Sequence, residues 1–397
     1  MLIGLVGKPS VGKSTFFKAA TLAEVAIASH PFTTIKPNHG VGYVKVDCID
    51  KEFNTKCNPK HGFCINHNRF VPIDLMDVAG LVPGASEGKG LGNQFLDDLR
   101  NADVFIHLVD ASGTSDVEGK ILPEGKERNP VEDVKFLEEE LDLWYFNILI
   151  KVWKSFSRTA EVEKTDFAKG VTKQFSGLKV NEGDVKEVLR KIDFSNIKPS
   201  QWNNEQVKKF AHSLRKISKP LIIAANKCDH PNSKSNIEKL KREFPDELII
   251  ACSSDSELAL REAAKHELID YIPGEDNFTE KGNLNEKQKF ALNKIRENVL
   301  DIYENTGVQQ VLNAAVFDLL KYIAIFPAGA NKLADQYGNV LPDCFLLPPN
   351  STALDFAFFL HTDFGKNFIK AIDARSKKAL GKDYKLKNRD ALEIVTR

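Results

Sequence analysis

Residues 7–14 read Gly7-Lys8-Pro9-Ser10-Val11-Gly12-Lys13-Ser14, the spacing GxxxxGKS, directly after the apolar run Met1–Val6. No other feature narrows the fold as far. A buried strand must deliver the chain to a glycine-rich turn whose N–H groups face inward, and a helix starting near Ser14 and Thr15 must add its positive end at the same point. Such a turn cradles a phosphate chain: the backbone of residues 7–15 donates, Lys13 places a point charge on the β and γ phosphates, and Ser14 offers a hydroxyl to Mg²⁺.

Apolar segments of strand length recur at Leu2–Val6, Gly42–Val46, Phe70–Met76, Val104–Val109, Leu221–Ala225 and Leu248–Ala251, with helical stretches between them. That alternation predicts a mostly parallel α/β sheet. The gap between the fourth and fifth strands is too long for a connection. Phe136, Leu137, Leu141, Trp144, Phe146, Ile148 and Val152 recur there at helical spacing, so it reads as a helical insertion. The expected layout is a discontinuous nucleotide domain, 1–115 and 216–275, an insertion over 116–215, connecting helices over 276–321 and a smaller α+β domain over 322–397. In the last, Ile323–Phe326, Cys344–Leu347 and Leu392–Val395 read as strands, with Thr352–His361 and Asn367–Ala374 as helices.

Three further elements lie where a nucleotide switch needs them. The third strand ends in Asp77-Val78-Ala79-Gly80, where an aspartate reaches Mg²⁺ through water and the Gly80 N–H meets a γ phosphate. Upstream, Thr33-Thr34 offers a second hydroxyl for the ion. The sharper element is Asn226-Lys227-Cys228-Asp229, directly after the strand Leu221–Ala225. The Asp229 carboxylate can accept from guanine N1–H and the exocyclic amine, whereas adenine has neither donor. A site built on such a bond rejects the analogue on the order of 10⁴-fold. Asn226 is expected to hold the loop and approach N7, the Lys227 stem to cover the base, and the Ser253 and Ser254 N–H groups to meet the guanine O6.

With Pro31-Phe32-Thr33-Thr34-Ile35-Lys36-Pro37-Asn38 and the run Gly84–Leu96 (GASEGKGLGNQFL), the chain resembles the Obg-related GTPases, specifically the YchF subfamily in an archaeal-type version. The resemblance covers essentially the whole length. It implies a P-loop GTPase domain with a helical insertion, a C-terminal TGS domain of ubiquitin-like β-grasp fold, and Thr34 as the better Mg²⁺ ligand of the pair. It also implies a role near the ribosome, since TGS domains occur in translation-linked proteins. Many relatives carry a degenerate base motif and are associated with ATP; here Asn226, Lys227 and Asp229 are all kept, which favours GTP. Leu81 stands where Ras-like enzymes place a water-orienting glutamine, so no catalytic residue is assigned and hydrolysis is expected to be slow without a partner. Ser10 replaces the asparagine of potassium-activated relatives, which argues against potassium activation. The rival readings are an ATPase, or a nucleotide-gated RNA- or ribosome-binding module with negligible turnover.

Lysine and arginine together equal aspartate and glutamate, 55 each, so bulk charge gives no case for nucleic acid. Locally, residues 116–142 are acid-rich and 151–219 base-rich, a pattern compatible with an RNA surface or with an ordinary solvated helix face. No apolar run reaches the ~20 residues of a membrane span, and the sequence reads as cytosolic. Three of the six cysteines, Cys48, Cys57 and Cys64, cluster near His61 and His67. They read as a second metal site, as a Cys57–Cys64 disulfide, or as free thiols.

Overall fold

The computed structural model describes residues 1–21, 38–78, 98–162, 166–335 and 337–397. In chain order these form β1 (Leu2–Val6), α1 (Lys13–Thr21), β2 (Asn38–Asp47), β3 (Phe63–Ile65), β4 (Asn68–Asp77) and β5 (Val104–Asp110). Five helices follow: α2 (Pro130–Ile150), α3 (Trp153–Val162), α4 (Phe167–Gln174), α5 (Glu182–Lys191) and α6 (Asn204–Ser218). Next come β6 (Leu221–Asn226), α7 (Ser233–Glu243), β7 (Ile249–Ala251), α8 (Ser254–Lys265), β8 (Ile269–Tyr271), β9 (Phe278–Glu280), α9 (Glu286–Ile295) and α10 (Val308–Asn313). The C-terminal part holds β10 (Ile323–Pro327), β11 (Phe345–Leu347), α11 (Ala353–Leu360), α12 (Thr362–Lys366), β12 (Phe368–Asp373), β13 (Ala379–Leu380) and β14 (Ala391–Thr396).

The chain divides into two compact units, one of residues 1–40 and 74–311 and one of 41–73 and 312–397. In the first, β1 pairs in parallel with the end of β4 (Leu5 opposite Asp77) and with β5 (Val6 opposite His107); β5 pairs with β6 (Asp110 opposite Asn226), and β6 with β7. Every residue of β5 and β6 is buried, as expected of parallel strands covered on both faces. The parallel register brings the C-terminal ends of these strands together, and the phosphate loop, Asp77, Asp110 and Asn226 lie at that edge.

The helices predicted for the insertion form close to where periodicity places them, and their ends are chemically marked. Pro130 opens α2 behind an Asn129 cap. Asn181 with Asp184 and Asn203 with Gln206 form reciprocal capping boxes on α5 and α6, each contributing about 1 kcal/mol. Trp153, Trp202, Phe167 and Phe210 interlock, with the two tryptophans stacked at 5.4 Å. These side chains share one continuous hydrophobic core with Val6, Met76, Val109 and Ile223 of the sheet. Residues 116–215 are thus joined to the sheet by packing as well as by chain.

In the second unit the strand order is β11-β10-β14-β12-β13, with β10 parallel to β14 and the other pairs antiparallel. Ile325, Leu347, Phe356, Leu386 and Leu392 form its core beneath α11, an arrangement with the mixed sheet and single packed helix of a β-grasp domain. One element differs from expectation. Asn367–Ala374 was expected as a helix, but Phe368–Asp373 is a strand laddered to β14, with Ala371 opposite Ile394 and Asp373 opposite Leu392. Tertiary pairing overrides a short apolar run whose spacing suits either period. Residues 41–73, which the sequence boundaries put within 1–115, also belong to this unit.

Candidate functional site

The phosphate loop is shaped by close approach. Gly7 (φ +147°) and Gly12 (φ +96°) have no room for a side chain: a Cβ on Gly7 would lie 2.4 Å from the Leu108 carbonyl oxygen, and one on Gly12 would lie 2.3 Å from Asn226 Nδ2. Pro9 has no N–H to offer, and Ser10 sits at φ +60°. Lys13 opens α1, and its Nζ donates to the carbonyls of Gly7 (3.1 Å) and Lys8 (2.9 Å). Burial depresses the Lys13 pKa to about 8 against the attraction of nearby Asp77. The ammonium therefore gains from any anion that enters the loop.

Asp77, at the end of β4, accepts from the Ser14 hydroxyl at 2.8 Å through Oδ2, while its buried Oδ1 has no partner among the described residues. Burial raises its pKa, opposed by Lys13 and the Ser14 bond. A hydroxyl and a carboxylate side by side, with one buried oxygen uncommitted, fit a hard divalent cation that prefers oxygen ligands. The remaining phosphate-side expectations, Thr34, Gly80 and Leu81, lie outside the described residues.

Much of the rest is bracing. The Lys8 ammonium, only 5 % exposed, turns to Asp133 (2.9 Å) and the Ser115 carbonyl (2.8 Å), so Lys8 serves the loop through its backbone alone. Asn226 Nδ2 donates to the Val11 carbonyl at 2.7 Å, and its Oδ1 accepts from the Ser254 N–H (3.0 Å) and hydroxyl (2.9 Å). One Nδ2 hydrogen is left over for a base nitrogen. Lys227, at φ +63°, places its Nζ 2.9 Å from Asp110 Oδ2.

The Ser253 and Ser254 N–H groups, expected on the base oxygen, are committed elsewhere. Ser253 N–H donates to the Thr306 carbonyl (2.8 Å) and Ser254 N–H to Asn226. The Ser253 hydroxyl donates to Asp229 Oδ1 at 2.7 Å, and the second oxygen of this exposed carboxylate has no hydrogen bond among the described residues. Ser253 thus bonds Asp229 through its hydroxyl and Ser254 bonds Asn226, with both backbone N–H groups already paired inside the protein.

Sequence reading missed the supports. Asp110 collects Lys227 and the hydroxyls of Ser112 (2.5 Å) and Ser115 (2.6 Å); the available signal was an acid ending an apolar strand opposite Asn226. Lys227 and those hydroxyls hold the Asp110 carboxyl below its usual range despite burial. Asn305-Thr306-Gly307, which falls among the expected connecting helices, packs against the loop that follows β7, where the Thr306 carbonyl accepts from the Ser253 N–H. A Cβ on Gly307 would lie 2.0 Å from the Ala251 carbonyl oxygen, and Thr306 also donates to the fully buried Glu257, which receives Arg261 and Tyr271 as well.

Comparisons with known proteins agree with this geometry. Residues 2–137 match the 50S ribosome-binding GTPase family, residues 224–329 the G4 motif-containing domain of Obg-like GTPases of the YGR210-like type, and residues 332–396 the TGS domain. The chain is 48 % identical over 396 residues to an uncharacterized GTP-binding protein of Methanocaldococcus jannaschii, covering 100 % of this chain and 99 % of that one. It is 30 % identical to the ribosome-binding ATPase YchF of Bacillus subtilis, covering 93 % and 87 % of the two. The crystal structure of a GTP-binding protein from Pyrococcus horikoshii superposes with a TM-score of 0.79 at 40 % identity over the full length of both chains. Phosphate loop, base motif, β-grasp unit and these relatives together make the chain a member of the YchF-type, Obg-like P-loop GTPases that carry a C-terminal TGS domain.

Proposed function

We propose that this chain binds GTP with Mg²⁺, hydrolyses it slowly, and uses the difference between its nucleotide states as a switch in a ribosome- or RNA-linked step. The carrying observation is the aligned Asp229 carboxylate, held by the Ser253 hydroxyl in a loop tied through Asn226 to the phosphate loop. Guanine satisfies that carboxylate with two donors and adenine with none. Lys13 and the backbone N–H groups of the loop from Gly7 to Thr15, Pro9 excepted, would hold the phosphates. Ser14, Thr34 and Asp77 would hold the ion, which neutralises charge on the phosphate oxygens when bound. The ribosomal part of the reading is supported by the names of relatives such as the Bacillus subtilis protein and by the base-rich stretch 151–219.

Slow turnover follows from Leu81, whose side chain cannot orient water. Two readouts separate the reading from its rivals. Multiple-turnover phosphate release from GTP, measured with and without ribosomal particles, is expected to be low alone, stimulated by particles, and abolished in Lys13→Ala. No Lys13-dependent release under either condition would leave a binding module in place of an enzyme. Equal release from ATP would make the chain an ATPase, as relatives are named. Among the described residues no helix is long and apolar enough to cross a membrane.

A further inference from the structure

The second unit gathers a set of ligands that nucleotide binding does not use. Cys48, Asp50, Cys57 and Cys64 each bring a sulfur or carboxylate oxygen to within 4.8 Å of all the others. The Cys48 and Cys57 sulfurs are 3.6 Å apart, and all three cysteines are free thiols. A disulfide needs about 2.0 Å between sulfurs. A tetrahedral cation with Zn–S bonds near 2.3 Å needs its sulfurs about 3.7–3.8 Å apart, close to the spacing found.

Each ligand is held by its own local device. Cys48 stands just before the 3₁₀ segment Ile49–Phe53 that follows β2, which places Asp50 two residues on, and both are 2 % exposed. Cys64 lies in β3 opposite Arg69, in a hairpin closed by Asn66 and His67, both at positive φ. Cys57 enters from the intervening loop, pinned by Asn58 N–H to the Val340 carbonyl and Lys60 N–H to the Pro342 carbonyl, both within the same unit. The Asp50 carboxylate is oriented by the Cys57 N–H at 3.2 Å and His67 Nδ1 at 2.9 Å, the kind of outer bond that fixes a metal ligand. His61 takes no part in the cluster.

A compensating charge lies near. The fully buried Arg69 donates only to the neutral carbonyls of Leu341 (3.1 Å) and Pro342 (2.8 Å), and its buried Nε has no partner among the described residues. A buried guanidinium without a carboxylate is costly. Three thiolates and a carboxylate around a divalent cation carry a net charge of two negatives, which a neighbouring cation offsets.

We infer that Cys48, Cys57, Cys64 and Asp50 form a structural Zn²⁺ site in the second unit, independent of the nucleotide site. Binding exchanges the three thiol protons for the metal and releases them to solvent, with no redox change. Thiolates at this spacing favour Zn²⁺ over the hard cations that suit the Asp77 site. Four protein ligands leave no open position, so the role is to clamp the 48–64 loop and not to catalyse.

The test uses the full chain, expressed in zinc-supplemented medium and purified without chelating resin. Elemental analysis is expected to give one zinc per chain, and Co²⁺ exchange a thiolate-to-metal charge-transfer band. Cys57→Ser and Cys64→Ser are expected to lose the zinc while keeping GTP affinity within twofold, and Asp50→Asn to weaken zinc binding at least tenfold. Should a variant fail to fold, the wild-type measurement decides alone. A wild-type chain that binds no Zn²⁺ on titration, whether its thiols all react with a thiol reagent or a cysteine pair proves to be oxidised, overturns the site.

Discussion

The nucleotide edge of the first unit and the cysteine cluster of the second solve one problem in opposite ways. At the nucleotide edge most polar side chains are already satisfied by one another: Lys8 by Asp133, Lys227 by Asp110, Asn226 by Val11 and Ser254. Among the described residues, what stays uncommitted is small, namely one oxygen of Asp77, one of Asp229, and a Lys13 ammonium donating to two carbonyls. In the second unit the Cys48 and Cys57 sulfurs face each other at 3.6 Å, and backbone turns together with the His67 bond to Asp50 do the positioning. The first region is pre-organised by side-chain bracing, so its motif residues divide into struts and readers. The second is pre-organised by turns, so its ligands are all readers.

That contrast can be broken by experiment, starting with the reader whose loss should cost most. Asp229→Ala removes the guanine acceptor and is expected to lower GTP affinity on the order of 10³-fold or more with little change in stability, by calorimetric titration and urea unfolding. Asn226→Ala removes a strut and should act on both properties. It strands the Val11 carbonyl and the Ser254 donors, so GTP affinity should fall about 10²-fold and unfolding free energy by about 2–4 kcal/mol. If Asn226→Ala altered binding alone, the division into struts and readers would fail. Gly307→Ala tests the brace behind the base loop. Its Cβ meets a backbone oxygen at positive φ, and a loss of about 2–3 kcal/mol is expected in the same unfolding assay.

Two smaller effects depend on pH. Burial, aided by the charge of Lys13, depresses the His107 pKa from 6.5 to about 3. The unfolded chain therefore binds a proton that the native chain refuses. The stability tied to neutral His107 is complete above the unfolded value near 6.5 and is lost as pH falls toward 3, by ~2 kcal/mol between pH 7 and pH 5. His107→Gln should remove that part of the slope. Lys13 works in the binding direction: its pKa near 8 without ligand rises when phosphate enters, so GTP affinity should fall about fourfold from pH 7 to pH 8.5. A pH-independent affinity would show that Lys13 is not the phosphate cation.

The candidate nucleotide site could be proposed from the sequence because its residues are contiguous. Residues 7–14 and 226–229 each lie within one loop after one strand, and strand order alone brings the loops to one edge. The braces were not legible. Asp110, Asp133, Thr306 and Gly307 act across parallel pairs and loop packing that no local spacing encodes. The β-grasp unit shows the same limit in its backbone: Phe368–Asp373 becomes a strand because β14 is there to pair with it. The cysteines were visible as a cluster, but Asp50 was not, since a 3₁₀ turn and not a motif brings it to them.

The proposed function depends on Asp229 acting as a guanine-reading carboxylate at the phosphate-binding edge. Its most direct test is competition of GTP and ATP, each with Mg²⁺, for the nucleotide-free wild-type chain. A preference for GTP of at least 10²-fold, lost in Asp229→Asn, is the predicted result. Equal affinity for the two nucleotides, unchanged by Asp229→Asn, would contradict it.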